Sequence, residues 1–298
     1  MRFSNLGKRL LFALWAIPLG WWLINTDISI LPRSVATVNP VHIGIVIVIM
    51  LACYEYSRML AILYPSNAFW LSYLWLGTQF IVYFNNDSSF PTTVSIYGLL
   101  LMVAAEAIIW GRRYQRSRWL RASLLFSGNA FLYIAAVSLM NLYREPFQAL
   151  FVKFSNVMFS QLGVVIVIGA VFMCDSAAYF AGSIWGKHHF SRISPKKTVE
   201  GSLGGLIAAM LVCGIGWFFL AEQRYPSWIG ILLGVIVGVF AQIGDLLVSV
   251  IKRYFRVKDA SDIIPGHGGI LDRFDSVFFT APMISLFSWV VVKLFGSS

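Results

Sequence analysis

The chain is expected to fold as an all-α polytopic membrane protein of about nine transmembrane helices, with its N-terminus in the cytoplasm and its C-terminus outside. Three observations predict this. Hydrophobic residues make up 58% of the 298 positions against 12% charged, and mean hydropathy is +0.75, a balance that water-soluble globules do not carry. Apolar stretches near the ~20 residues needed to cross a bilayer recur along the whole chain. Lysine and arginine segregate between alternate loops.

The apolar runs cover about 9–26, 40–57, 67–84, 93–110, 121–142, 160–184, 202–221, 227–251 and 276–295. The first follows Arg2, Lys8 and Arg9, as in a signal peptide. However, it contains Trp15, Trp21 and Trp22 and does not end in a small-x-small site, so a retained helix is expected. No soluble domain fits between the runs, so residues 1–298 read as one membrane domain. Residues 1–159 are spans on short loops, largely scaffold, and 160–298 hold nearly all the chemistry. With the N-terminus inside, the cytoplasmic loops collect 18 of the 23 Lys and Arg residues and the outer loops 5. The net charge of +10 therefore records topology, with some attraction to anionic headgroups, and does not indicate a nucleic-acid partner. Cys53, Cys174 and Cys213 all lie in apolar runs and read as small buried hydrophobes. Short termini without a transit-like extension point to a bacterial inner membrane.

Polar residues of special type gather in the second half. Asp175 lies about 10 residues before the end of its run, roughly 15 Å deep if helical. A carboxylate at that depth is costly unless paired or hydrated. Asp175 therefore either pairs with a cation from a neighbouring helix or lines a cavity, sharing a helix face with Tyr179. Ser194-Pro195-Lys196-Lys197-Thr198 precedes a glycine-rich helix start at Gly201. Two ammonium groups and free N–H donors there suit an anionic phosphate, although lysines in such a loop also serve topology. Asp245, Ser249 and Lys252 fall at i, i+4 and i+7, which puts carboxylate, hydroxyl and ammonium on one helix face. Beyond them Lys252, Arg253, Arg256, Lys258 and Arg273 mix with Asp259, Asp262, Asp272 and Asp275 around His267-Gly268-Gly269. Asp272 and Asp275 stand at i, i+3 where the last helix begins. One such Asp would simply complement the helix dipole. Two, beside Arg273 and paired glycines, look like hard-cation ligands next to phosphate donors. His267 is either an acid/base or a shaper of its turn. His42, His188 and His189 have no partner spacing.

The string S-x-x-K-R-x4-K-D followed by P-x-H-G-G-x-x-D-R-x-D, over 249–275, resembles the signature of phosphatidate cytidylyltransferases, also called CDP-diacylglycerol synthases. The string D-[ST]-x-A-Y-x-x-G-x-x-x-G-K from Asp175, with S-P-K-K-T-x-E-G from Ser194, is similar to a second motif of that family. The resemblance covers about 172–205 and 242–276, and it shifts the Lys196–Lys197 loop toward phosphate binding. It implies an enzyme that joins CTP and phosphatidic acid into CDP-diacylglycerol and pyrophosphate for phospholipid synthesis. On this footing Asp245, Asp272 and Asp275 bind Mg2+. Lys252, Arg253, Asp275 and Ser249 serve the chemistry. Lys196, Lys197, Lys258, Gly268, Gly269 and Arg273 hold phosphate. Asp175 and Ser249 line the cavity, around a second cation or the lipid head. The partners are then CTP, phosphatidic acid and the bilayer, with no nucleic acid, and a homodimer is compatible. Two neighbouring alternatives are a related lipid-phosphate nucleotidyltransferase and a CTP-dependent polyprenol kinase. An ion-coupled transporter is more distant: it would favour repeats and broken midplane helices, whereas here the polar set gathers at one face and no repeat appears.

Overall fold

A computed structural model describes residues 40–63, 70–85, 115–143, 147–151, 157–189, 197–221, 225–263 and 268–295. They form seven α-helices and, among the described residues, no strand: α1 (Pro40–Leu63), α2 (Trp70–Asn85), α3 (Gln115–Asn141), α4 (Val157–Trp185), α5 (Val199–Leu220), α6 (Trp228–Tyr254) and α7 (Leu271–Phe295). Each matches one of the expected apolar runs. The expected spans 9–26 and 93–110 lie outside the described residues. Six helices, all but α2, are long and apolar enough to cross a membrane. Their outward faces carry large apolar side chains, for example Leu203, Ile207, Leu211 and Ile215 along α5. That stripe at i, i+4, i+8 and i+12 suits hydrocarbon rather than water.

The chain divides into two compact units, Met1–Ala136 with Tyr254–Arg273, and Val137–Arg253 with Phe274–Ser298. In the first, Tyr56 and Asn129 match polar atoms across neighbouring helices. Tyr56 of α1 donates to the Leu124 carbonyl of α3 at 2.7 Å. The Asn129 side chain donates to Ser72 of α2 at 3.2 Å and to the Leu125 carbonyl at 2.8 Å. A lipid-embedded helix has no water to satisfy such groups, so these bonds also fix which faces meet.

The second unit is built on small residues. A Cβ added to Gly205 of α5 would stand 2.7 Å from the Cys174 carbonyl of α4, and one added to Gly234 of α6 would stand 2.4 Å from Met210 Cα of α5. These glycines let the backbones of α4, α5 and α6 approach closely, the main source of cohesion between helices in lipid, where apolar burial alone gives little. Local signals set the helix ends. Thr198 caps α5, its Oγ1 accepting from Gly201 N at 3.1 Å. The last turn of α6 holds Lys252 and Arg253, which favour the negative end of its dipole. Just beyond it, Arg256 adopts φ 60°, the left-handed conformation that stops a helix.

Candidate active site

The D-S-A-A-Y-F-A-G stretch is the C-terminal part of α4. Its Gly182 sits against the cap of α5, where an added Cβ would be 2.9 Å from Thr198 Oγ1. At Gly186 an added Cβ would be 2.1 Å from the Gly182 carbonyl and 2.7 Å from Thr198 Cγ2. The motif glycines therefore serve close packing of α4 on the start of α5. That packing brings Lys197, the residue before the cap, to the helices that carry acidic groups. His188 and Glu200 close the same connection: His188 Nδ1 lies 2.6 Å from Glu200 Oε1, and Lys187 N and His188 N donate to Glu200 Oε2.

Within the second unit the expected residues form a cluster. Lys197 Nζ lies 2.6 Å from Asp245 Oδ2 of α6, with both side chains partly exposed. Ser249 Oγ, one turn along, is 3.5 Å from the other oxygen of Asp245, a weak contact. Asp275 of α7 is buried, and its Oδ1 accepts from Ser276 N at 2.7 Å. Ser276 Oγ in turn donates to Asp175 Oδ2 at 3.2 Å. Helices α6 and α7 touch at this level, since a Cβ on Gly244 would meet the Asp275 carbonyl at 2.9 Å. Asp175, Asp245 and Asp275 are close enough to repel one another, and Lys197 and Lys252 offset part of that repulsion. Asp175 and Tyr179 share an exposed face of α4, as their spacing predicts. An exposed carboxylate at this depth calls for water or a polar ligand beside it, not hydrocarbon.

These donors are oxygen-only and suit a hard cation. Among the described residues no three acidic, histidine or cysteine side chains converge as ligands of one ion. Mg2+ in nucleotide sites usually takes one or two carboxylates and completes its shell with phosphate oxygens and water, so Asp245 and Asp275 fit that role.

The remaining expected residues lie in the first unit or at its border. Asp272 Oδ2 accepts from Ala260 N at 2.8 Å and from Gly269 N at 3.1 Å, so it ties its own loop. Gly268 has φ 81°, a conformation open essentially to glycine. Arg253, Lys258 and Arg273 are exposed. Lys196 and His267 lie outside the described residues. Two participants escaped sequence reasoning. Ser276 has no distinguishing signal, being one serine in an apolar helix. Glu55 did have one: it is the sole acid within the run 40–57, and an intramembrane carboxylate is a marked residue by default. It is fully buried and accepts from the loop before α7.

Residues 8–291 match the model of the "Cytidylyltransferase family". The chain is also similar to curated proteins named phosphatidate cytidylyltransferase. That of Staphylococcus haemolyticus is 44% identical over 117 residues, 39% of this chain and 45% of that protein. That of Synechocystis is 44% identical over 128 residues, 42% and 43% of the two chains. That of Staphylococcus aureus is 42% identical over 117 residues, 39% and 45%. The chain thus spans less than half the length of the curated relatives it matches.

Proposed function

The chain belongs to the cytidylyltransferase family, and on that premise we propose that it transfers the cytidylyl group of CTP to phosphatidic acid, releasing pyrophosphate and forming CDP-diacylglycerol. The observation that carries this reading is the cluster in which Lys197 meets Asp245 while Asp275 and Asp175 share Ser276. Carboxylates and ammonium groups together among apolar helices suit two anionic phosphates, one of them on a lipid. The names of the relatives support the choice of substrates.

In this reaction a phosphate oxygen of phosphatidic acid attacks the α-phosphorus of CTP. A new P–O bond forms, the bond to the bridging oxygen breaks, and the electron pair leaves with pyrophosphate. The attacking oxygen is already an anion, so no strong general base is required. Catalysis then rests on alignment and charge neutralisation. Lys252, whose charge acts on Asp275, is assigned to the lipid phosphate, and Lys197 to the triphosphate. Ser249 and Asp175 line the cavity, and Arg253, Lys258 and Arg273 supply further positive charge. Asp245 and Asp275 would hold Mg2+, with Asp272 as a further ligand, and the bound ion would neutralise charge on the triphosphate and its leaving group. Ser276 keeps the Asp275 and Asp175 carboxylates oriented through its N–H and hydroxyl.

The membrane arrangement proposed with this activity is nine spans with the active site facing the cytoplasm of a bacterial inner membrane. It rests on the 18-to-5 division of Lys and Arg. Single cysteines introduced into a cysteine-free variant should be protected from an impermeant external reagent at position 258 and labelled at 298. External labelling at 258 would overturn the orientation. For the activity, purified protein given CTP, phosphatidic acid and Mg2+ should release pyrophosphate and CDP-lipid in equal amounts. Pyrophosphate release without CDP-lipid, or turnover on a polyprenol alone, would reject it.

A further inference from the structure

The proposed reaction makes no use of Glu55, yet this carboxylate is completely enclosed within the first unit. Its side chain is 0% exposed, in the second half of apolar α1. A buried carboxylate is costly unless its lone pairs are satisfied. Three donors reach this one. Ser261 Oγ at 2.5 Å and Ile270 N at 2.8 Å share Oε1, and Leu271 N at 2.7 Å takes Oε2. All three are neutral groups.

Their identity shows what the carboxylate does. Ile270 and Leu271 stand at the start of α7, so their N–H groups belong to the set that a helix start leaves without internal partners. The positive end of the α7 dipole favours a negative charge at the same place. A residue 215 positions away thus performs the capping that a local Ser or Asp usually provides. Space is matched as well. A Cβ at Gly269 would stand 2.7 Å from one Glu55 oxygen and 2.8 Å from the other, so the second motif glycine makes room for this carboxylate. From the other side Asp272 holds Ala260 N and Gly269 N. Two carboxylates together hold Ala260 and Ser261 to Gly269, Ile270 and Leu271.

We propose that Glu55 is a positioning residue for the nucleotide: by bonding Ser261, Ile270 and Leu271 it holds residues 260–263 and 268–271 in the conformation that presents their phosphate-binding groups to CTP. This rests on the activity proposed above. Glu55 touches no substrate and acts through the loop. Glu55→Gln keeps the shape but turns an NH2 group toward one of the backbone N–H donors, so one of the two helix-start bonds is lost.

The test uses the full chain in detergent, with Glu55→Gln and the milder Ser261→Ala. Two readouts are taken, hydrogen exchange over 260–271 and steady-state kinetics with each substrate varied in turn. Glu55→Gln should speed exchange at Ile270 and Leu271 about tenfold or more and raise the KM for CTP about tenfold. The KM for phosphatidic acid and the exchange of α4 and α5 should stay near wild type. Ser261→Ala should move both readouts in the same direction by about two- to fivefold, and it keeps the test open if Glu55→Gln does not fold. Unchanged exchange over 260–271 would overturn the proposal. So would a loss of activity that merely follows the fraction of unfolded protein, with a wild-type KM for CTP in the folded remainder. If the wild-type protein makes no CDP-lipid, the proposed activity falls. Exchange confined to 260–271 in Glu55→Gln would still uphold the tie itself, and unchanged exchange would still overturn it.

Discussion

Asp275→Asn and Asp245→Asn are each expected to lower kcat by roughly a hundredfold or more while leaving the protein folded in detergent, a loss of the size seen when one preorganised electrostatic contact is removed. Each exchange is nearly isosteric and deletes one negative charge. At position 275 the amide oxygen can still accept from Ser276 N, now 2.7 Å from the carboxylate, so local structure should survive. What is lost is the charge that attracts Lys252 and, on the proposed mechanism, an oxygen for a divalent cation. At position 245 the change also weakens the tie to Lys197 at 2.6 Å. Turnover with CTP, phosphatidic acid and Mg2+, alongside thermal unfolding in the same detergent, checks both variants. Near-normal kcat in either one, or wild-type turnover in excess EDTA, would remove the cation role.

Lys197→Ala is expected to cost about tenfold to a hundredfold in kcat/KM for CTP, the worth of one charge-assisted hydrogen bond of about 1.5–3 kcal/mol. Its place in the loop before α5 points mainly to a raised KM for CTP. The pairing with Asp245 adds a second consequence, because removing the ammonium leaves three neighbouring carboxylates with less opposing charge. A fall in kcat should therefore accompany the rise in KM. Combining Lys197→Ala with Asp245→Asn should cost less than the product of the two single effects, as residues in contact commonly couple by about 0.5–3 kcal/mol. Lys252→Ala, by contrast, should impair use of phosphatidic acid or the chemical step and leave the KM for CTP near wild type. Kinetics on the two single variants, the double variant and Lys252→Ala decide this. Independent, multiplying effects of Lys197 and Asp245 would show that the pair is a surface contact without consequence for the reaction.

Helix positions were legible in the sequence because length and apolar content are properties of a contiguous stretch. The run expected over 227–251 appears as Trp228–Tyr254, and that over 202–221 as Val199–Leu220. The last helix shows where this reading stops. Its apolar run begins near 276, yet the helix starts at Leu271, because backbone hydrogen bonding does not stop at a charged side chain and Glu55 supplies acceptors for its first N–H groups.

The chemistry divides in the same way. Asp175, Asp245, Asp275, Lys197 and Lys252 could be named from residue type and spacing, since carboxylates and ammonium groups are conspicuous in or beside apolar runs. The partners they take could not. That Lys197 meets Asp245, that Ser276 links Asp175 to Asp275, and that Glu55 caps a helix beginning 216 residues later follow from how each helix is rotated against its neighbours. That rotation is set by glycines such as Gly205 and Gly234, where backbones approach too closely for a methyl group. The sequence by itself determined the membrane class, the helices and the charged residues available for catalysis, because each depends on local composition. Only the tertiary structure decided which of those charges meet, because an ion pair or a cap requires two atoms within about 3 Å, and in a helical membrane protein that distance is settled by interhelical packing.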